Sequence, residues 1–178
     1  VSTYVALLRG INVGGKNRVP MEAFRSLLTA LGHLDVVTYI QSGNAVFESS
    51  RGSGEVAAEL EEALERELGV RAAVVLRTAA ELADVAAGNP LLRPGTDASK
   101  LYVVFLAEEP SRAALARLDP DRSPPDEARA RGREIYLHLP NGAGRTKLTV
   151  DYFERRLGAR ATARNWNTVT KLLVLARR

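Results

Sequence analysis

The chain of 178 residues contains no cysteine, one methionine, one tryptophan and two histidines. Without cysteine there is no disulfide framework, thiolate nucleophile or cysteine-ligated metal, and the composition fits a reducing compartment. The histidines, His33 and His138, have neither metal-site spacing nor a hydrolase triad around them. His33 follows the helix-ending Gly32 and reads as a loop residue. His138 alternates out of phase with Ile135, Leu137 and Leu139 and reads as facing outward from its strand. No serine sits in a nucleophile elbow. Long apolar runs are absent too: residues 101–107 fall far short of the roughly 20 needed to span a bilayer. No secretion signal is legible at the N-terminus. A soluble cytoplasmic protein without a membrane partner is the expectation.

What is present is a globular composition, 46% apolar, long enough for one large domain or two small ones. The net charge of +4 is unevenly spread. Residues 48–99 carry five Lys/Arg against ten Asp/Glu, and residues 141–178 carry nine against two. The C-terminal quarter is thus the basic end, suited to phosphates, nucleic acid or an acidic partner, or simply to a solvated surface.

Periodicity divides the chain into alternating elements. Residues 4–9 read as a buried strand, 10–19 as a loop, and Pro20 opens a helix carrying Phe24, Leu27 and Leu28. Strands follow at 35–40 and 45–48, a helix at 55–68 ending before Gly69, and a strand at 72–77. The carboxylates of the 55–68 helix read as a solvated face. Thr78 and Glu81 form a capping-box pattern before a short helix. Residues 91–99 are the best linker, which divides the chain into 1–90 and 91–178. The pattern then restarts: a strand at 101–107, a short helix at 111–118, a hairpin around Gly132, a loop at 140–147, a helix at 149–157, a strand at 161–163, and a last helix capped by Asn167. The expected fold is α+β, two ferredoxin-like βαββαβ halves with an extra C-terminal helix. The first and third strands of each half are expected to lie parallel and adjacent, so that the 10–19 and 140–147 loops occupy the same kind of sheet edge and could face one cleft.

Four stretches carry candidate chemistry. Gly10-Ile11-Asn12-Val13-Gly14-Gly15-Lys16 satisfies the opening of a phosphate-loop pattern after a strand. Asn17 stands where a magnesium-binding hydroxyl belongs, and Pro20 starts the helix a turn late. That leaves a backbone nest flanked by Arg9, Lys16 and Arg18, or a plain glycine turn. Asn141-Gly142-Ala143-Gly144-Arg145-Thr146-Lys147 is a second such loop, in which Gly142 and Gly144 free the backbone and Thr146 and Lys147 supply a donor and a charge. Gln41-Ser42-Gly43-Asn44 reads as a ligand-gripping turn or as a hairpin turn. In the fourth, Arg164 suits a phosphate or an acid such as Asp151, Asn165 adds an amide, and Trp166 stacks on a ring or fills the core.

Leu8-Arg9-Gly10-Ile11-Asn12-Val13-Gly14-Gly15, Tyr39-Ile40-Gln41-Ser42-Gly43-Asn44 and Arg164-Asn165-Trp166-Asn167-Thr168 together resemble the bacterial family catalogued as domain of unknown function 1697. The resemblance implies an α+β fold of two ferredoxin-like halves; it carries over no function and no catalytic residues, and it assigns no cofactor.

The leading expectation is binding of a phosphate-bearing ligand, a nucleotide or nucleic acid, by Arg9, Asn12, Gly14, Gly15, Lys16, Ser42, Asn44, Gly142, Gly144, Thr146, Lys147, Arg164, Asn165 and Trp166. Tyr39 and Phe47 are the strand aromatics that RNA could use. The alternatives are an enzyme on a small phosphorylated or carboxylated substrate, with Lys16, Lys147 or Tyr136 as acid or base, and an interaction module without catalysis that forms oligomers.

Overall fold

Two compact units share the chain: Val1–Asp84 with Lys171–Arg178, and Val85–Thr170. The computed structural model describes all 178 residues. The first unit runs β1 (Ser2–Leu8), α1 (Met21–Ala30), β2 (Leu34–Tyr39), β3 (Asn44–Ser49), α2 (Ser53–Leu68) and β4 (Val74–Thr78), followed by α3 (Ala79–Ala87). The second runs β5 (Leu101–Leu106), α4 (Arg112–Leu115), β6 (Glu127–Arg131), β7 (Glu134–His138), α5 (Val150–Leu157) and β8 (Ala161–Asn165), followed by α6 (Trp166–Ala176), whose residues from Lys171 on belong to the first unit. These are the two βαββαβ halves, each with a trailing helix.

The sheets have the order β2-β3-β1-β4 and β6-β7-β5-β8, and every neighbouring pair is antiparallel. The expected parallel pairing of first and third strands is therefore wrong. The helical crossover leaves β1 and β2 pointing the same way, and the hairpin reverses β3, which inserts between them. The strand ends consequently sort differently. The loop after β1 shares its edge with the β2–β3 turn, since Leu7 pairs with Asn44. The loop after β7 lies at the opposite end of its own sheet, beside the start of β5 and the end of β8, since Leu101 pairs with His138 and Tyr102 with Asn165.

Each sheet packs one face against its helices. Phe24 and Leu28 of α1 and Val56, Leu60 and Leu64 of α2 cover Tyr4, Ala6, Leu8 and Phe47. In the second unit Tyr152, Phe153 and Leu157 of α5 cover Val104, Leu106, Ile135 and Leu137. Each large apolar side chain so buried contributes about 1.5–3 kcal/mol. The α2 carboxylates are less idle than a solvated face implies: Glu59 pairs with Arg51, and Glu61 Oε1 accepts the Val74 N–H.

The opposite sheet faces show an internal correspondence that periodicity does not reveal. Val5 pairs with Arg77 and Tyr4 with Thr78, while Val103 pairs with Arg164 and Tyr102 with Asn165. A buried arginine thus occupies the same register on the last strand of each sheet, just before a helix start. Arg77 Nη1 donates to the Leu76 carbonyl, and Arg164 Nη1 to the Ala163 carbonyl and Thr162 Oγ1.

Candidate functional site

The first candidate region is the corner where the loop after β1 meets the β2–β3 turn. Lys16 N–H donates to the Val13 carbonyl at 3.0 Å, and Asn12 N–H to the Asn17 carbonyl at 3.1 Å. Gly14 and Gly15 have φ of 59° and 73°. Two consecutive left-handed residues inside a four-residue turn are the signature of a type I′ hairpin. Residues 12–17 therefore form a miniature hairpin: of the two readings of this loop, nest or glycine turn, the turn is found, and it uses the Lys16 N–H internally.

Asn12 holds this hairpin to the body. Its Nδ2 donates to the Val19 and Gln41 carbonyls, and its Oδ1 accepts the Val19 N–H at 2.8 Å. Asn44 is buried, its Nδ2 donating to the Tyr39 carbonyl and Ser42 Oγ. Both asparagines build the corner from within. Gly43 is required there: at φ 91° an added Cβ would lie 2.6 Å from Ile11 Cδ1. Ser42, Val13, Lys16 and Arg18 face solvent, whereas Arg9 is half-buried and engaged. Three of the four non-glycine residues with positive φ (Asn12, Asn17 and Ile40) lie in this corner. Ile40, at φ 47°, is a strained position for a β-branched residue. Phe47 is core and Tyr39 half-buried, so Phe47 offers no ring to a ligand.

In the second unit the 140–147 loop is stapled down. Gly142 N–H donates to the Leu139 carbonyl, Thr146 Oγ1 to Asp126 Oδ2, and Lys147 N–H to Ser123 Oγ. Gly144 has open space around it. Thr149 Oγ1 accepts the Tyr152 N–H, so α5 carries its own cap. Asn165 caps α6 in place of the expected Asn167: its Oδ1 accepts the Asn167 N–H, while its Nδ2 donates to the Ser99 carbonyl. Leu139 N–H donates to the Lys100 carbonyl, so this edge brings Asn165 and the start of the 140–147 loop to the same end of the sheet. Trp166 is 5% exposed and belongs to the core. Arg164 is buried as well, and loss of hydration brings its guanidinium down to about 10, still cationic at neutral pH.

Sequence reasoning missed a cluster centred on Tyr152. The Arg122 guanidinium lies 4.2 Å from the ring centroid and that of Arg156 5.5 Å. Arg117 Nε donates to the Arg156 carbonyl, Arg156 Nη1 to the Arg117 carbonyl, and Arg122 Nε to the Lys147 carbonyl. The one legible signal was the i, i+4 spacing of Tyr152 and Arg156 on α5; Arg117 and Arg122 lie outside α4 and α5 and carry none. Beside the cluster a cavity of about 350 Å³ is lined by Leu118, Asp119, Asp126, Ala128, Tyr152 and Phe153, among others.

The remaining titratable candidates are structural. Tyr136 is buried, its hydroxyl donating to the Val85 carbonyl. His33 is a loop residue by position but 2% exposed, its ring packed at a tilt against Phe47 with centroids 4.8 Å apart. Its Nε2 lies 2.9 Å from Glu59 Oε1, though poorly aligned for a hydrogen bond. Burial lowers the imidazole below its ordinary pKa; Glu59 opposes this, and Arg51 adds to it. His138 is half-exposed beside Glu127. No helix is long and apolar enough to cross a membrane.

A family described as protein of unknown function (DUF1697) matches residues 1–136, which contain the first unit's strands and the whole hairpin corner. The chain belongs to the DUF1697 family. The match takes in the Leu8–Gly15 and Tyr39–Asn44 blocks that meet at the corner and stops short of Arg164-Asn165-Trp166. A solved structure, that of the conserved bacterial protein SP0830 from Streptococcus pneumoniae, superimposes with a TM-score of 0.76 at 23% identity, covering 99% of each chain. That likeness extends the shared fold over the whole DUF1697 chain. No curated protein matches it.

Proposed function

We propose that this DUF1697 protein binds a phosphate-bearing ligand at the hairpin corner of its first unit. One observation carries the reading. The corner is built from residues 9–19 and 36–47, which hold three cations and no carboxylate. Lys16 and Arg18 are exposed, and no ion pair or side-chain hydrogen bond engages either of them. A fold that staples two such segments together with Asn12 and tolerates strain at Ile40 keeps cations on a rigid support without neutralising them. Unpaired cations favour phosphate oxygens, and a loop stapled at its backbone leaves little loop entropy to be lost on binding. The hairpin contributes by projecting Lys16 and Arg18; the glycines act through the turn, not by touching the ligand.

The test is a thermal-shift series with inorganic pyrophosphate and nucleotides on the wild type and on Lys16→Gln/Arg18→Gln. The wild type should be stabilised, by about 2.7 kcal/mol at a ligand concentration of 100 Kd. The double variant should keep its unliganded midpoint and lose the shift. Equal shifts in both proteins, or none in either, would remove the reading.

A further inference from the structure

The second unit holds 14 Lys/Arg against 10 Asp/Glu, so it carries the whole net charge of +4, whereas the first unit is balanced at 11 and 11. Within it the cations are held together. Arg122 and Arg156 both lie against Tyr152, at 4.2 and 5.5 Å from its centroid, so their guanidinium carbons are no more than about 10 Å apart, roughly one Debye length at 0.1 M salt. Reciprocal bonds to each other's backbone tie Arg117 to Arg156, and the bond from Arg122 Nε to the Lys147 carbonyl sets the Lys147 backbone beside Arg122.

No carboxylate oxygen comes within 4.0 Å of the side-chain nitrogens of Arg117, Arg122, Arg156 or Lys147. Three acids share the same stretch of chain: Asp126 Oδ2 accepts from Ser123 and Thr146, Asp119 Oδ1 accepts the Asp121 N–H, and Asp121 is exposed; none of them forms an ion pair with the four cations. Like charges gathered this closely repel, and the tyrosine ring offsets only about 0.5–1 kcal/mol per cation at an exposed site. The arrangement spends guanidinium bonds on backbone carbonyls, with Arg117, Arg156 and Lys147 exposed and Arg122 half-buried. That is the geometry of a surface awaiting several phosphates.

We infer that Arg117, Arg122, Arg156 and Lys147 form a second anion site that takes the sugar–phosphate backbone of a nucleic-acid duplex. This goes beyond the hairpin-corner reading, at a separate place in the second unit, and rests on that reading only for the choice of phosphate. The cations call for a chain of phosphates, and the buried aromatic then favours a duplex over a single strand. The cations are several and lie side by side, which suits a chain of phosphates. The aromatic at the centre is 4% exposed beneath two arginines, so it gives no platform for the unstacked bases of a single strand. Binding of this kind is indifferent to base sequence.

The experiment measures fluorescence anisotropy of a labelled 24-base-pair DNA duplex of arbitrary sequence, across a salt series, with the full chain. Arg117→Gln/Arg156→Gln should weaken binding about tenfold and reduce the slope of log K against log salt by about 2, near 0.9 for each phosphate that is no longer neutralised. Arg122→Lys, which keeps the charge, should bind nearly as the wild type does. If the double glutamine variant misfolds by circular dichroism, Arg155→Glu serves instead. It is an exposed neighbour on α5 with no hydrogen bond to lose, and it should weaken binding likewise. Lys16→Gln/Arg18→Gln is run in parallel, so that failure at the first-unit corner is told apart from failure here. Folded variants with unchanged affinity and slope overturn the inference. So does tighter binding of a single strand of equal length, or displacement of the duplex by equimolar pyrophosphate.

Discussion

Asn12 shows how a side chain that looks like a ligand group can be consumed by the fold. Both of its side-chain polar atoms are bonded within the corner, and its φ of 55° suits asparagine better than most residues. Asn12→Ala should therefore destabilise the unliganded protein by about 1–3 kcal/mol, seen as a lower urea midpoint. A variant with wild-type stability and lost binding would return Asn12 to the ligand. His33 makes a second case. Its folded pKa lies below the unfolded 6.5, chiefly through burial, against Glu59 and with Arg51. As pH falls through 6.5 the unfolded chain takes a proton that the folded chain resists, so the stabilisation held above that pH is lost below it. Urea unfolding at pH 7.5 and 5.5 should show a steeper loss for wild type than for His33→Gln; parallel profiles would contradict it. Neither role was legible in sequence, because burial of a loop histidine depends on Phe47 arriving from another element. The Thr78–Glu81 capping box was legible, being a local pattern, and both of its bonds are present.

The strand and helix order could be read from periodicity and turn residues, but strand direction could not be taken from order by rule of thumb. The helical crossover and the hairpin between them oblige β3 to run against β1, and that inversion decides which loops are neighbours. The glycine loop stayed open between a nest and a turn for a related reason. Gly-Lys after a strand fits a phosphate loop, yet two adjacent glycines with Val13 and Lys16 on either side fit a hairpin equally well. Only the register of Asn12 with Asn17 separates the two. The distinction is testable within the element. A type I′ turn accepts Asn-Gly, so Gly14→Asn should leave both stability and pyrophosphate binding intact. Gly14→Ala/Gly15→Ala places two side chains at positive φ and should cost about 2–4 kcal/mol, at roughly 1–2 per residue, and disorder the Lys16 tip. If the alanine pair binds pyrophosphate as well as the wild type, the hairpin is not what presents the cation.

Charge is the property that linear reading distorted most. The tally of residues 141–178 makes the C-terminal quarter strongly basic. Yet Lys171, Arg177 and Arg178 belong to the first unit, where they balance the acids of α2 and its neighbours. The surplus that remains sits in the second unit, and part of it is concentrated around Tyr152 without carboxylate partners. Such a concentration strains the folded state through self-repulsion, and the strain is screened by salt. The unliganded wild type should therefore gain thermal stability as sodium chloride rises from about 0.01 to 0.2 M, over which the Debye length shrinks from roughly 30 to below 10 Å. A gain near 1 kcal/mol corresponds to about 2–4 °C for a chain of this size. Arg117→Gln/Arg156→Gln removes two of the repelling charges, so its midpoint should rise less over the same range. Identical salt responses in the two proteins would mean that the cluster is already neutralised by its surroundings, and that the polypeptide gives up no stability to hold those arginines together.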